Sequence, residues 1–147
     1  TSVRPGKFGY SNLDMPNTPF RITRGDESLI EFPFTSLSRV RIVFGLSYVK
    51  LLGWEIYSLL WRTFSLPDIA LALSHPHDFY FHELTGFHPA SLEKLALSRN
   101  PKRAFDYYDK MISELKRQGY EFMHMSELYS HTQSLTDVHL IALENWK

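Results

Sequence analysis

Between Pro67 and Pro76 the chain reads DIALALSH, with five consecutive apolar residues from Ile69 to Leu73. A run this short without alternation predicts a strand over Asp68–His75 covered on both faces. Such strands belong to parallel sheets flanked by helices. The segments around it support that arrangement. Ser28–Phe34 (SLIEFPF) predicts a strand that stops or lies at an edge at Pro33, which has no N–H for a ladder. Residues 42–61 predict one long helix, apolar nearly all round. Residues 101–117 predict a second, with Asn100 as N-cap, Pro101 at the first helical position and Gly119 beyond the end. Its expected apolar stripe is Ala104, Phe105, Tyr108, Met111, Ile112 and Leu115. Tyr120–Met125 then predicts a strand, Ser126 caps a short helix, and residues 131–147 form a docked helical tail. Residues 1–27 are expected to be loop and turn, with a tight turn at Gly25-Asp26. The Arg24-Gly25-Asp26 tripeptide is given no meaning beyond that turn.

Alternating strands and helices predict an α/β fold with parallel strands. At 147 residues the chain holds a single unit. A complete α/β barrel needs roughly 200–250 residues, so only part of one fits.

Composition narrows the function classes. Lys+Arg and Asp+Glu are 16 each, so no basic excess exists to grip a phosphate backbone, and nucleic acid is excluded as the expected partner. With no cysteine, disulfide scaffolds and thiol catalysis are ruled out. Lys50 and Glu55 inside the 42–61 segment argue against a membrane span. No signal peptide is visible in the first thirty residues, which favours a cytoplasmic setting. Aromatics at 15% and seven histidines suit a carbohydrate-handling surface. GxSxG, P-loop and GxGxxG motifs are absent.

His75-Pro76-His77-Asp78 is the sharpest chemical feature. In parallel α/β architectures the C-terminal strand ends face the active site. A histidine there serves as a general acid or base near neutral pH. The alternative is a ring that bonds a neighbouring carbonyl or carboxylate. A second reading takes His75, His77, Asp78, His82, Glu83 and His88 as metal ligands, since His-x-His places two imidazoles on one face of a strand. Against it stands the reading of exposed histidines in a loop spanning HPHDFYFHELTGFHP. Glu31, between Ile30 and Phe32, is either a carboxylate with a partner in a site or one facing water on a half-exposed strand. Trp54 and Trp61 are expected in the core, and His124 has no evident chemical context.

Four stretches together resemble the C-terminal part of polysaccharide deacetylases of the nodulation-factor deacetylase type (carbohydrate esterase family 4). They are TSVRPGKFGYSNLDMPNTPFRI, LIEFPFT, ALSHPHDF and RQGYEFMHMSEL. In order, they are similar to the Pro/Gly-rich loop after that family's third motif, its Leu-x-Glu-x-Pro strand, its last active-site strand ending in His, and its closing helix–strand–helix unit. The resemblance covers most of residues 1–130. It implies the C-terminal part of a distorted (β/α) barrel and a metal-dependent hydrolysis of the acetamide of an N-acetylated sugar. In the family a divalent metal such as zinc, held by one Asp and two His, activates water, and a late histidine protonates the leaving amine. That last role maps to His75. Glu31, His77 and Asp78 become supporting residues of the pocket. Arg4 is a further supporting candidate; as an alternative to the placement after the third motif, Arg4-Pro5-Gly6-Lys7-Phe8-Gly9 is an altered form of the family's Arg-x-Pro-aromatic-Gly motif.

The family's Asp-Asp and His-x-x-x-His motifs are absent; no two Asp are adjacent anywhere in the chain. The expectation is therefore that the metal belongs to the complete enzyme, that this chain holds none, and that alone it is inactive. An alternative metal set within the chain is His75, His77 and His82. Expected partners are the N-acetylated carbohydrate and either the missing N-terminal half or a second copy. The competing reading is a non-catalytic interaction module on a half-barrel scaffold.

Overall fold

A computed structural model of the chain describes residues 16–80, 95, 98–135 and 139–142. Arg4, His82, Glu83 and His88 lie outside the described residues.

Strands β1 (Phe20–Arg24) and β2 (Glu27–Glu31) form a hairpin around Gly25-Asp26, in register from Arg24↔Glu27 to Phe20↔Glu31. The expected turn is therefore present. β1, however, falls in the stretch expected to be loop, and the strand expected at 28–34 ends at Glu31. Pro33 lies just past that end, where a missing N–H does no harm. Only Phe20 and Ile30 of the hairpin are buried. A third strand, β3 (His139–Ala142), pairs with β1 in parallel, giving the order β2-β1-β3. Two corrections follow. The tail is strand, not helix, over 139–142, and the sheet is mixed rather than parallel throughout. Four residues (HLIA) take the extended form because β1 offers them an open edge, a partner that local periodicity does not reveal.

The main core is built elsewhere, from residues 35–66 and one long helix. Thr35–Leu37 and Ile42–Phe44 face each other through Leu37 N–H to Ile42 O (2.8 Å) and Phe44 N–H to Thr35 O (2.7 Å). The single helix expected over 42–61 is instead an extended lead-in followed by α1 (Leu46–Leu52) and α2 (Trp54–Thr63). The break is Gly53, whose φ of 83° suits glycine and not a side-chain-bearing residue. Gly45 has a different reason to be glycine: a Cβ there would meet the Leu73 carbonyl oxygen at 2.7 Å. α2 turns Tyr57 and Trp61, four apart, into the core, while Ile56 and Leu59 remain exposed. Trp61 meets the Phe44 ring edge-on at 4.8 Å. Trp54 packs at the margin of this core, so both tryptophans lie where expected. No helix among the described residues is long and apolar enough to cross a membrane.

Residues 68–75 depart most from expectation. They are extended, but only Leu71 and Leu73 are paired, and on one side. Leu73 N–H donates to Phe44 O (2.9 Å), its carbonyl accepts Leu46 N–H (3.0 Å), and the Leu71 carbonyl accepts Thr35 N–H (3.2 Å). Among the described residues, the backbone groups of Ala70, Ala72 and Ser74 bond to nothing. None of Ile69 to Leu73 is fully buried. The described residues supply neither the second neighbour nor the second cover that a two-face-buried strand demands.

A short helix, α3 (Pro76–Tyr80), replaces the beginning of the expected loop. After a 3₁₀ turn at Pro101–Arg103, α4 runs Ala104–Arg117, much as expected. Its buried positions are Ala104, Tyr107, Met111 and Leu115. The stripe is thus rotated from the predicted one: Tyr107 is inside and Phe105 is exposed. Phe105 instead lies tilted against Phe79 of α3, ring centroids 4.7 Å apart. Asn100 does not cap α4 with its side chain; its amide donates to the Lys50 carbonyl at 2.8 Å and ties α4 to α1. Glu121–His124 form no strand and are exposed, and α5 (Met125–Ser134) starts with His124 as N-cap, two residues before Ser126. The Glu127 carboxylate accepts the His124 N–H at 2.8 Å, which gives His124 its context.

Candidate functional site

The junction between the 71–74 segment and α3 gathers the chemical residues. Pro76 opens α3, where a missing N–H is harmless. Asp78, two residues on, reaches back: its Oδ2 accepts the His75 N–H at 2.9 Å, half of a capping box. Its Oδ1 accepts the Ser47 hydroxyl at 2.5 Å, and its backbone carbonyl accepts the Lys50 ammonium at 2.6 Å. Asp78 and Lys50 are both fully buried. Burial pushes the Lys50 ammonium below its ordinary value of 10.5, and the Asp78 charge opposes that shift. Ser47 and Lys50 lie on α1, so α1 clamps the start of α3 through one buried carboxylate and one carbonyl.

The clamp fixes the backbone of His75 while leaving its ring accessible. The His75 side chain is 46% exposed, and its Nδ1 lies 3.9 Å from Asp78 Oδ2. That is too long for a hydrogen bond and short enough for direct electrostatic contact. The His77 ring stacks on His75 at 4.7 Å with 11° between planes. One ligand atom from each of His75, His77 and Asp78 can be chosen so that all lie within 4.8 Å of one another. An aromatic group adjoins them: Phe79 meets Phe105 and also Tyr108, at 5.6 Å, while Tyr80 meets Phe105 at 5.8 Å.

Of the sequence-derived candidates, His75, His77 and Asp78 are brought together. Glu31 is not. It is exposed on β2 and, among the described residues, forms no side-chain hydrogen bond or ion pair, so the reading in which it faces water is the observed one. Arg4 and His82 lie outside the described residues. Sequence reasoning missed Ser47 and Lys50 as supports of Asp78. Lys50 carried a signal, a lone cation in an apolar run, but it pointed to membrane exclusion rather than to a partner 28 positions away.

No family model matches the chain, and no curated protein or solved structure does either.

Proposed function

We propose that this chain is the C-terminal part of a metal-dependent polysaccharide or sugar N-deacetylase, with His75 as the general acid. The observation that supports this reading best is an imidazole held by its own backbone and open to solvent. His75 N–H is fixed by a buried carboxylate, the ring is exposed, and aromatic rings adjoin the same short helix. A protonated imidazole so held hands its proton to the amine nitrogen as the acetamide C–N bond breaks. Tyr80 and Phe105, both exposed, offer flat apolar faces to a sugar ring beside it. The overall scaffold in this proposal is the C-terminal part of a distorted (β/α) barrel. In this proposal the missing N-terminal half, or a second copy, adds its strand against the backbone of Ala70, Ala72 and Ser74, which is open among the described residues.

Activating water requires a metal, and the described residues offer no ligand set for it that spares the proposed acid. His75, His77 and Asp78 form the one group of ligand-type side chains identified among the described residues. That group contains the proposed acid, and a histidine whose lone pair is on a cation has no proton to give from that nitrogen. In this proposal the deacetylase metal is held by residues of the complete enzyme outside this chain, and the chain alone is inactive.

The test joins this chain to the residues encoded upstream of it and assays N-acetylglucosamine oligomers. His75→Ala should lower kcat by about 10²–10⁴-fold with little change in KM. A near-normal rate would remove His75 from the chemistry. A second reading, a non-catalytic interaction module, is favoured by the exposed Ile56 and Leu59 on α2. An upstream sequence lacking both an Asp-Asp strand end and His-x-x-x-His would decide for it.

A further inference from the structure

We infer that His75, His77 and Asp78 form a binding site of their own for a divalent late-transition cation such as Zn²⁺, distinct from the deacetylase metal. The inference does not rest on the deacetylase reading. It rests on three donors of the kind such ions take, two imidazoles and a carboxylate, within one tripeptide step and its neighbour.

The distances support capture. Zinc ligands bond at about 2.0–2.2 Å, so tetrahedral donors stand roughly 3.4 Å apart. His75 Nδ1 and Asp78 Oδ2 are already 3.9 Å apart, with no hydrogen bond between them to break. The whole set spans 4.8 Å, so closing it requires about an ångström of movement. His75 is exposed and His77 half-buried, so neither imidazole belongs to the buried core. Asp78 supplies the fixed point. Its Oδ2 accepts one hydrogen bond, from His75 N–H, and retains a second lone pair for a cation. Lys50 is bonded to the Asp78 carbonyl rather than to the carboxylate, which leaves that oxygen to face the imidazoles. Ser47 on Oδ1 orients the carboxylate from behind, the outer-shell support that ligating groups characteristically have. Three protein donors leave a fourth position for water. A cation here takes up His75, so the two uses of this residue exclude one another.

The experiment is a titration of the 147-residue chain with Co²⁺, read by visible ligand-field absorption, followed by displacement with Zn²⁺. One equivalent should bind saturably with the strong absorption of a four-coordinate ion. His75→Ala and His77→Ala should each weaken binding at least about tenfold, since even outer-shell partners are worth 10–100-fold. His124→Ala, outside the cluster, should leave it unchanged. Far-UV circular dichroism identifies variants that retain the fold, and His77→Ala, at a position outside the bonds that join Ser47, Lys50, His75 and Asp78, carries the decision if His75→Ala unfolds. Absence of saturable one-equivalent binding, or binding undiminished in folded His77→Ala, overturns the site. Failure of this site leaves the general-acid reading standing, and failure of the general-acid reading leaves this site standing, so the two proposals fail separately.

Discussion

Replacing Asp78 by Ala should destabilise the chain by about 3 kcal/mol, more than any exposed substitution nearby. The magnitude follows from what the carboxylate holds. Its removal leaves the His75 N–H and the Ser47 hydroxyl without their acceptor, and an unpaired buried group costs about 1–3 kcal/mol. It also removes the negative charge that opposes the burial of the Lys50 ammonium. The ammonium bonds the Asp78 carbonyl and not the carboxylate, so this loss falls below the about 3–5 kcal/mol of a directly paired buried charge. The sum is tempered because His75 sits at the surface, where water reaches its freed N–H. Asp78→Asn, which keeps an acceptor oxygen, should lose about half as much. Lys50→Met removes the buried cation and fills its volume with apolar atoms. The double variant Lys50→Met/Asp78→Asn should therefore be more stable than the sum of the single losses by about 1 kcal/mol or more. Urea unfolding at neutral pH, with slopes compared between variants, gives all four values. A loss below about 1 kcal/mol for Asp78→Ala, or strict additivity in the cycle, would refute the clamp as described.

Three further outcomes are expected. Gly45→Ala should cost about 1–3 kcal/mol in the same urea assay, because its Cβ would stand 2.7 Å from the Leu73 carbonyl and push apart the bonds that hold the 71–74 segment; a neutral result would show that the segment gives way freely. Glu114, held down to about 2 by Arg117 and then Gln118, contributes stability that is present above its ordinary 4.5 and lost as pH falls toward 2; acid unfolding of Glu114→Gln should lack that part of the slope, and an unchanged profile would dismiss the pair. Sedimentation equilibrium should show association that deepens with concentration and weakens in Leu59→Lys, whereas a monomer persisting at high concentration would count against an open strand edge and an apolar α2 face awaiting cover.

Local signals in the sequence carried the parts of this fold that depend on local chemistry. Gly25-Asp26 makes its turn, and α4 starts and ends close to its punctuation by Asn100, Pro101 and Gly119. What failed depended on partners far along the chain. On α4, Tyr107 takes the buried place expected of Phe105, whose ring lies against Phe79 of a distant segment instead. The split of the 42–61 segment was written in Gly53 but outweighed by the surrounding apolar run. β3 exists only because β1 is there to pair with it. The run from Ile69 to Leu73 still asks for two-sided cover that the described residues do not give. For the site, proximity in sequence was enough to join His75, His77 and Asp78. The clamp was not legible, because Ser47 and Lys50 come from a helix about thirty residues earlier.

The parallel pairing of β1 with β3 has a consequence for biosynthesis. Phe20 meets His139, so the hairpin leaves the ribosome long before its third strand exists. At about 5–20 residues per second, the β1 edge waits on the order of ten seconds for its neighbour. Throughout that interval any extended segment nearby, including the same stretch of another nascent chain, competes for the place that His139–Ala142 later takes. β3 thus acts as a late seal on β1, and a ribosome stalled short of residue 139 leaves the hairpin exposed to mispairing.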